Sequence, residues 1–297
     1  MTVPIRKGYA ATAFGQVHFA HNDARDRPAL VLLGPAPRSW RAFEQVFPLL
    51  GDKFHLIAPD PPCFGESSPV PEGSSMRDVA AGIVAVLDEL GIARAHVYGH
   101  NTGRLIAAAL AADWPERVDR LIVAGPTFTL IPEQQVRIAA IRDFIQARYF
   151  EPQLPVDGPR VHPALRAWAT TFRTMISPWW WDESLFTGSD PTPVVQALEN
   201  RIVDELMARR TLGAMYRMNF EFDFAQALGR ATARTLIVEI TGGSADSGGF
   251  ERQGARLAAC MRDARVVQLP QTEGPIALFL LTGLAPMCKA IEDFLIQ

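Results

Sequence analysis

The chain has 297 residues, 48% of them apolar and 21% charged, with a formal net charge of −3. This length holds one large α/β domain or two modest ones and buries about three quarters of its unfolded surface without a covalent staple. The slight acidic excess, with basic doublets as isolated as Arg209-Arg210, excludes a dedicated nucleic-acid surface.

Cys63, Cys260 and Cys288 are odd in number and lack metal-ligand spacing, so they read as reduced thiols in a cytoplasmic protein. Met1 to Gly15 has no apolar core of signal-peptide length. No stretch approaches the ~18 apolar residues of a membrane span. The partners expected are a small-molecule ligand or substrate and, for assembly, a homodimer, with neither membrane nor nucleic acid.

In chain order, Gly15 to Phe19 alternates weakly and predicts an edge strand with His18 and His21 exposed. Ala29 to Leu33 is a continuous apolar run, the pattern of a strand covered on both faces. Gly34-Pro35-Ala36-Pro37-Arg38-Ser39-Trp40 is a loop, followed by a helical stretch ending near Leu50. Phe54 to Ala58 reads as the next buried strand, closed by the turn Asp60-Pro61-Pro62-Cys63-Phe64-Gly65.

Ser75-x-x-Asp78 predicts a capping box before a helix from Val79 to Leu90. Ala95 to Tyr98 reads as a strand leading into Gly99-His100-Asn101-Thr102-Gly103, and Leu105 to Ala112 as a helix. Leu121 to Pro126 is another buried strand. From Phe128 to Leu228 the rhythm changes to helices between proline-rich loops, with Trp179-Trp180-Trp181 among them. Strand and helix then alternate again: Thr235 to Ile240, Phe250 to Met261, Arg265 to Leu269, and Leu284 to Leu295.

This alternation predicts an α/β fold with a mostly parallel eight-stranded sheet flanked by helices. Residues 1–127 and 229–297 read as the two parts of the core, and residues 128–228 as an inserted helical cap over the strands' carboxyl ends. Open α/β sheets place their sites at those ends.

Three motifs carry a resemblance to the α/β-hydrolase fold family. Gly99-His100-Asn101-Thr102-Gly103 resembles its nucleophile elbow, G-x-S-x-G. Asp60 to Ser67 is similar to its D-x-P-G-F-G-x-S turn, and Pro115-Glu116-Arg117-Val118 to its P-E-R-V. The resemblance implies a nucleophile, an acid and a His in that chain order. The first position falls on Asn101, whose carboxamide is a poor nucleophile. The acid falls on Asp246; the His position is Pro275, and the last histidine of the chain is His162. The backbone N–H groups of Ala36 and Thr102 map to the oxyanion donors, which need no particular side chain.

Three readings of Asn101 stand: a substituted nucleophile, a relic in a dead site, or a group that orients a ligand carbonyl. The third is favoured, because a carboxamide offers two donors and an acceptor at the apex of the turn. Glu273, in the loop that normally bears the His, is a candidate acid or base, against the plain reading of an exposed loop glutamate. Asp246 keeps the acid position but equally reads as a helix cap. Arg38 could meet an anionic ligand, although a solvated arginine is the commoner outcome. His100 reads as structural, Trp180 as a cavity-mouth or packing residue, and Cys63 as a buried thiol.

The candidate catalytic set is therefore Asn101, Asp246 and Glu273, with Ala36, Thr102, Arg38, His100 and Trp180 as candidate ligand contacts. No cofactor or metal is implied, because no Rossmann fingerprint, P-loop or ligand cluster is present. The expected function is a non-hydrolytic reaction of lyase, isomerase or cyclase type on an apolar carbonyl-bearing molecule, without covalent catalysis. A non-catalytic small-molecule binder is one alternative. A weak esterase or lactonase that activates water through Asp246 or Glu273 is the other.

Overall fold

Apolar runs without polar alternation become strands buried on both faces, and here they form the middle of one eight-stranded sheet in a computed structural model of the chain. The structure describes residues 4–125, 139, 192–241, 252–270 and 284–296. The strands are β1 (Arg6–Thr12), β2 (Gly15–His21), β3 (Ala29–Leu33), β4 (His55–Pro59), β5 (Ala95–His100), β6 (Val118–Gly125), β7 (Arg234–Thr241) and β8 (Ala264–Pro270). Their spatial order is β1-β2-β4-β3-β5-β6-β7-β8. β2 runs antiparallel to both neighbours, and the strands from β4 to β8 are mutually parallel.

The described helices are α1 (Phe47–Leu50), α2 (Met76–Glu89), α3 (Thr102–Asp113), α4 (Thr192–Ala208), α5 (Leu212–Glu221), α6 (Phe224–Arg230), α7 (Gly254–Ala259) and α8 (Leu284–Leu295), with 3-10 turns at Trp40–Phe43 and Pro115–Arg117. Successive strand residues point to opposite faces. Val31, Val97, Val123 and Ile237 therefore pack with α2, α3 and α6 on one side. Leu32, Tyr98, Ile122 and Val238 pack with α8 and the Trp40–Leu50 segment on the other.

The predicted capping box forms, with the Ser75 N–H donating to Asp78 Oδ2 at 2.8 Å. Leu212, Met215 and Met218 of α5 join the same core cluster as Phe224 and Leu228 of α6, so the chain returning to the sheet is anchored before β7 begins.

Four expectations are corrected. β2 is internal, because β1 pairs along its whole length and takes the edge. The alternation of β1, Arg6-Lys7-Gly8-Tyr9-Ala10-Ala11-Thr12, is masked by its small residues. His18 and His21 are accordingly buried rather than exposed. The helix expected to end near Leu50 is a 3-10 turn followed by the single turn of α1. Arg38 is buried, at 4% exposure, and ion-paired rather than solvated.

The Asp60 turn shows why its residues are as they are. Asp60 Oδ1 accepts from the Trp40 N–H at 2.7 Å, and Oδ2 accepts from the Glu66 N–H at 2.9 Å. His18 Nδ1 lies 2.9 Å from Oδ2. Gly65 has φ +52, and a Cβ there would overlap the Asp60 carboxylate. Cys63, with φ 85, is a buried thiol in a left-handed position that a side chain makes costlier by about 1–2 kcal/mol.

Candidate functional site

β5 ends at His100 and α3 begins at Thr102, so a single residue, Asn101, makes the whole connection. The turn is so tight that both flanking glycines are obligatory. A Cβ on Gly99 would overlap the Gly103 carbonyl oxygen, and one on Gly103 would overlap the Leu33 carbonyl oxygen. Asn101 takes φ 50 and ψ −115, outside the left-handed helical well that asparagine visits most easily. Such strain, of order 1–3 kcal/mol, persists only when the surroundings over-determine it. Here the Asn101 N–H donates to the Ala124 oxygen at 3.0 Å and the Arg104 N–H donates to the Asn101 oxygen at 3.1 Å. The carboxamide itself makes no hydrogen bond to a described residue.

Beside it, β6 ends at Gly125, with φ +130. Asn101 Oδ1 and Arg104 Nη1 lie 2.5 and 2.6 Å from the place a Gly125 Cβ would occupy. The Arg104 guanidinium is buried, 6.0 Å from the Phe224 ring centroid, and burial lowers its pKa to about 10. Gly125 pairs in register with Glu239 of β7, which is also buried. Glu239 Oε1 accepts from the Gly254 N–H at 2.9 Å and Oε2 from Gln268 Nε2 at 3.2 Å.

The oxyanion loop rises from the neighbouring strand. Leu33 of β3 pairs with Gly99 of β5, so Ala36 and Thr102 each follow a paired position by three residues. Neither N–H is taken by another backbone group among the described residues. Two ties then fasten α4 and α5 to this end of the sheet. Arg38 Nε donates to Asp204 Oδ2 at 2.9 Å, and the Ser39 N–H donates to the same oxygen at 3.2 Å. Asn219 Nδ2 donates to Thr102 Oγ1 at 3.2 Å, while Asn219 Oδ1 is buried without a partner. Thr211 also donates to the Cys63 carbonyl oxygen.

His100 points to the other side of the sheet. It lines an apolar cavity of about 40 Å³ with Leu32, Pro35, Phe43, Tyr98 and Cys288. The Tyr98 hydroxyl lies 3.3 Å from His100 Nδ1. Burial lowers the imidazole to about 4, so it is neutral, and it raises the Cys288 thiol to about 11.

Asn101, Thr102 and Ala36 are therefore brought to one end of the sheet, with Arg38 at the base of the same loop. His100 flanks the elbow from behind. Asp246, Glu273, Pro275, Trp180 and His162 lie outside the described residues. Sequence reasoning missed Arg104, Glu239, Asp204 and Asn219. Two left a signal: Arg104 is the one charge early in an otherwise apolar helix, and Glu239 interrupts the run Leu236-Ile237-Val238-Glu239-Ile240. Among the described residues no group of three or more His, Cys, Asp or Glu is placed to hold a metal, and no helix is long and apolar enough to cross a membrane.

A family model described as alpha/beta hydrolase fold matches residues 28–205, more than half of the chain. The 2-hydroxy-6-oxononadienedioate/2-hydroxy-6-oxononatrienedioate hydrolase of Burkholderia vietnamiensis (strain G4 / LMG 22486) is 33% identical over 150 residues, 47% of this chain and 50% of that protein. The protein of the same description from Klebsiella pneumoniae subsp. pneumoniae is 29% identical over 145 residues, 45% of this chain and 48% of that one. The chain thus spans about half the length of the curated relatives it matches. Among solved structures, a hydrolase from Pseudomonas aeruginosa PA01 superposes with a TM-score of 0.68 at 22% identity, over 97% of this chain and 98% of that one. The enol-lactonase from Burkholderia xenovorans LB400 gives 0.63 at 19%, over 98% and 100%. At these identities the structural likeness shows the fold.

Proposed function

The chain belongs to the alpha/beta hydrolase fold family, and from that premise we propose that it is an enzyme acting on a small carbonyl-bearing molecule without a covalent intermediate. The reaction is non-hydrolytic, of lyase, isomerase or cyclase type. Asn101 orients the carbonyl, and the Ala36 and Thr102 N–H groups stabilise charge that develops on its oxygen.

One observation carries this reading. The backbone strain of an elbow is retained at φ 50 and ψ −115 around a residue that cannot be deprotonated to a nucleophile, and whose carboxamide makes no hydrogen bond to a described residue. The curated relatives are named for molecules bearing an oxo group, which agrees in substrate class.

The test incubates the protein with a panel of keto and hydroxy-keto compounds and follows products by chromatography and mass spectrometry. A product with no added water, no labelling by a fluorophosphonate probe, and turnover reduced about a hundredfold or more in Asn101→Ala are expected. Undiminished turnover in Asn101→Ala overturns the role of Asn101, and a covalent adduct overturns the mechanism.

A second reading, hydrolysis by a directly activated water, is favoured by the printed activity of the relatives. Asp246 and Glu273 are its candidate bases. Incorporation of heavy oxygen from labelled solvent selects it over the first.

A further inference from the structure

The pair formed by Arg38 and Asp204 is wired in an unusual way. Both side chains are buried, at 5% and 0% exposure. Guanidinium–carboxylate pairs frequently close as a fork, two parallel N–H···O bonds using both oxygens. Here Asp204 Oδ2 receives both the Arg38 Nε–H and the Ser39 N–H, while Oδ1 is buried and receives nothing. On the other side of the pair, Arg38 Nη1 and Nη2 make no hydrogen bond to a described residue. A carboxylate oxygen left empty in a buried setting is costly, whereas the Arg38 Nη donors keep contact with solvent. The pair therefore carries one unused acceptor on Asp204 and unused donors on Arg38.

The position of the pair matters as much as its wiring. Arg38 follows Ala36 by two residues, and its Cβ lies 3.7 Å from the place of a Gly34 Cβ. The Gly34 carbonyl oxygen in turn lies 2.8 Å from the place of a Gly103 Cβ, inside the elbow. The unused donors thus belong to the loop that supplies the Ala36 N–H, and the unused acceptor to helix α4. They are not part of a remote surface pair.

We propose that Arg38 and Asp204 together recognise a ligand group that presents an N–H donor beside a carbonyl acceptor, an amide or lactam. Asp204 Oδ1 accepts from the ligand N–H, and an Arg38 Nη–H donates to the ligand oxygen. This assignment rests on the reading of the elbow as a small-molecule site and adds to it the chemical class of the molecule. Burial pulls the Arg38 guanidinium down and the neighbouring Asp204 opposes that shift, and hydrogen bonds to guanidinium and carboxylate groups are strong ones.

The experiment compares benzamide with N,N-dimethylbenzamide, which keeps the carbonyl and lacks the N–H, by ligand-observed NMR titration of the full chain. Wild type is expected to bind benzamide at least about tenfold more tightly. The ratio should fall below about threefold in Asp204→Leu and in the double variant Arg38→Met/Asp204→Leu, which removes both charges and so avoids an orphaned ion. Circular dichroism verifies folding, and if one of the two fails to fold, the other decides. A tenfold ratio that persists in the folded variants overturns the proposal. So does equal affinity for both probes, or no binding of benzamide. Equal affinity that is abolished by Asn101→Ala overturns the amide assignment alone and leaves the elbow as a ligand site.

Discussion

Asn101 Oδ1 and Arg104 Nη1 converge on the empty side-chain position of Gly125, 2.5 and 2.6 Å from where its Cβ would stand. The last residue of β6 is thus the seat of the elbow's own side chain. Gly125→Ala is expected to displace both groups and to strain a backbone at φ +130, lowering stability by about 2–3 kcal/mol. Urea denaturation reads the loss. A midpoint equal to wild type would mean that Asn101 does not lean on β6.

A harsher result is expected where α3 meets β3. The Cβ of Gly103→Ala would overlap a backbone oxygen, that of Leu33, and no rotamer change relieves a backbone clash. The cost is about 4 kcal/mol or more, enough to remove soluble protein. Expression with an unchanged thermal midpoint would contradict the close approach of α3 to β3.

Much of this architecture was readable beforehand, because its signals are local. The apolar runs fixed the buried strands, Ser75 and Asp78 fixed a helix start, and α8 matches its expected limits, Leu284 and Leu295. The elbow was placed by its two glycines. What escaped depends on long-range partners. β1 lacks an apolar stripe and exists because β2 pairs with it. His18 is buried because Asp60, far along the chain, receives it. Arg38 looks like a loop arginine until α4 returns Asp204 to it across 166 positions. No periodicity in the sequence encodes that meeting.

That same pair gives a stability prediction independent of any ligand. Arg38→Met alone leaves Asp204 buried without its counter-charge and should cost about 3–5 kcal/mol. Adding Asp204→Leu should recover most of the loss, because the desolvation penalty disappears with the charge. A double-mutant cycle in urea measures both; additive losses would refute the pairing.

His55 makes part of the stability depend on pH. His55 is 2% exposed, with Nε2 3.1 Å from His21 Nδ1, and burial reinforced by His21 lowers it from 6.5 to about 4. A folded pKa below the unfolded one means that the unfolded chain takes the proton first. The stability is fully present above about pH 6.5 and is lost as the pH falls toward 4. The loss is about 2 kcal/mol. His55→Gln should flatten the urea midpoint between pH 7 and pH 4.5, and an unchanged slope would assign the acid sensitivity elsewhere.

Asp204 holds the Ser39 N–H, Asn219 holds Thr102, and Thr211 holds the carbonyl of Cys63. Three loops of the sheet's carboxyl end are thus gripped by one continuous stretch of chain, α4 to α5. Lifting that stretch would release the oxyanion loop, the first residue of α3 and the Asp60 turn in a single event. The elbow, the oxyanion loop and the α4–α5 stretch are therefore one mechanical unit, in which loosening any of the three ties is felt at the hydrogen-bond donors.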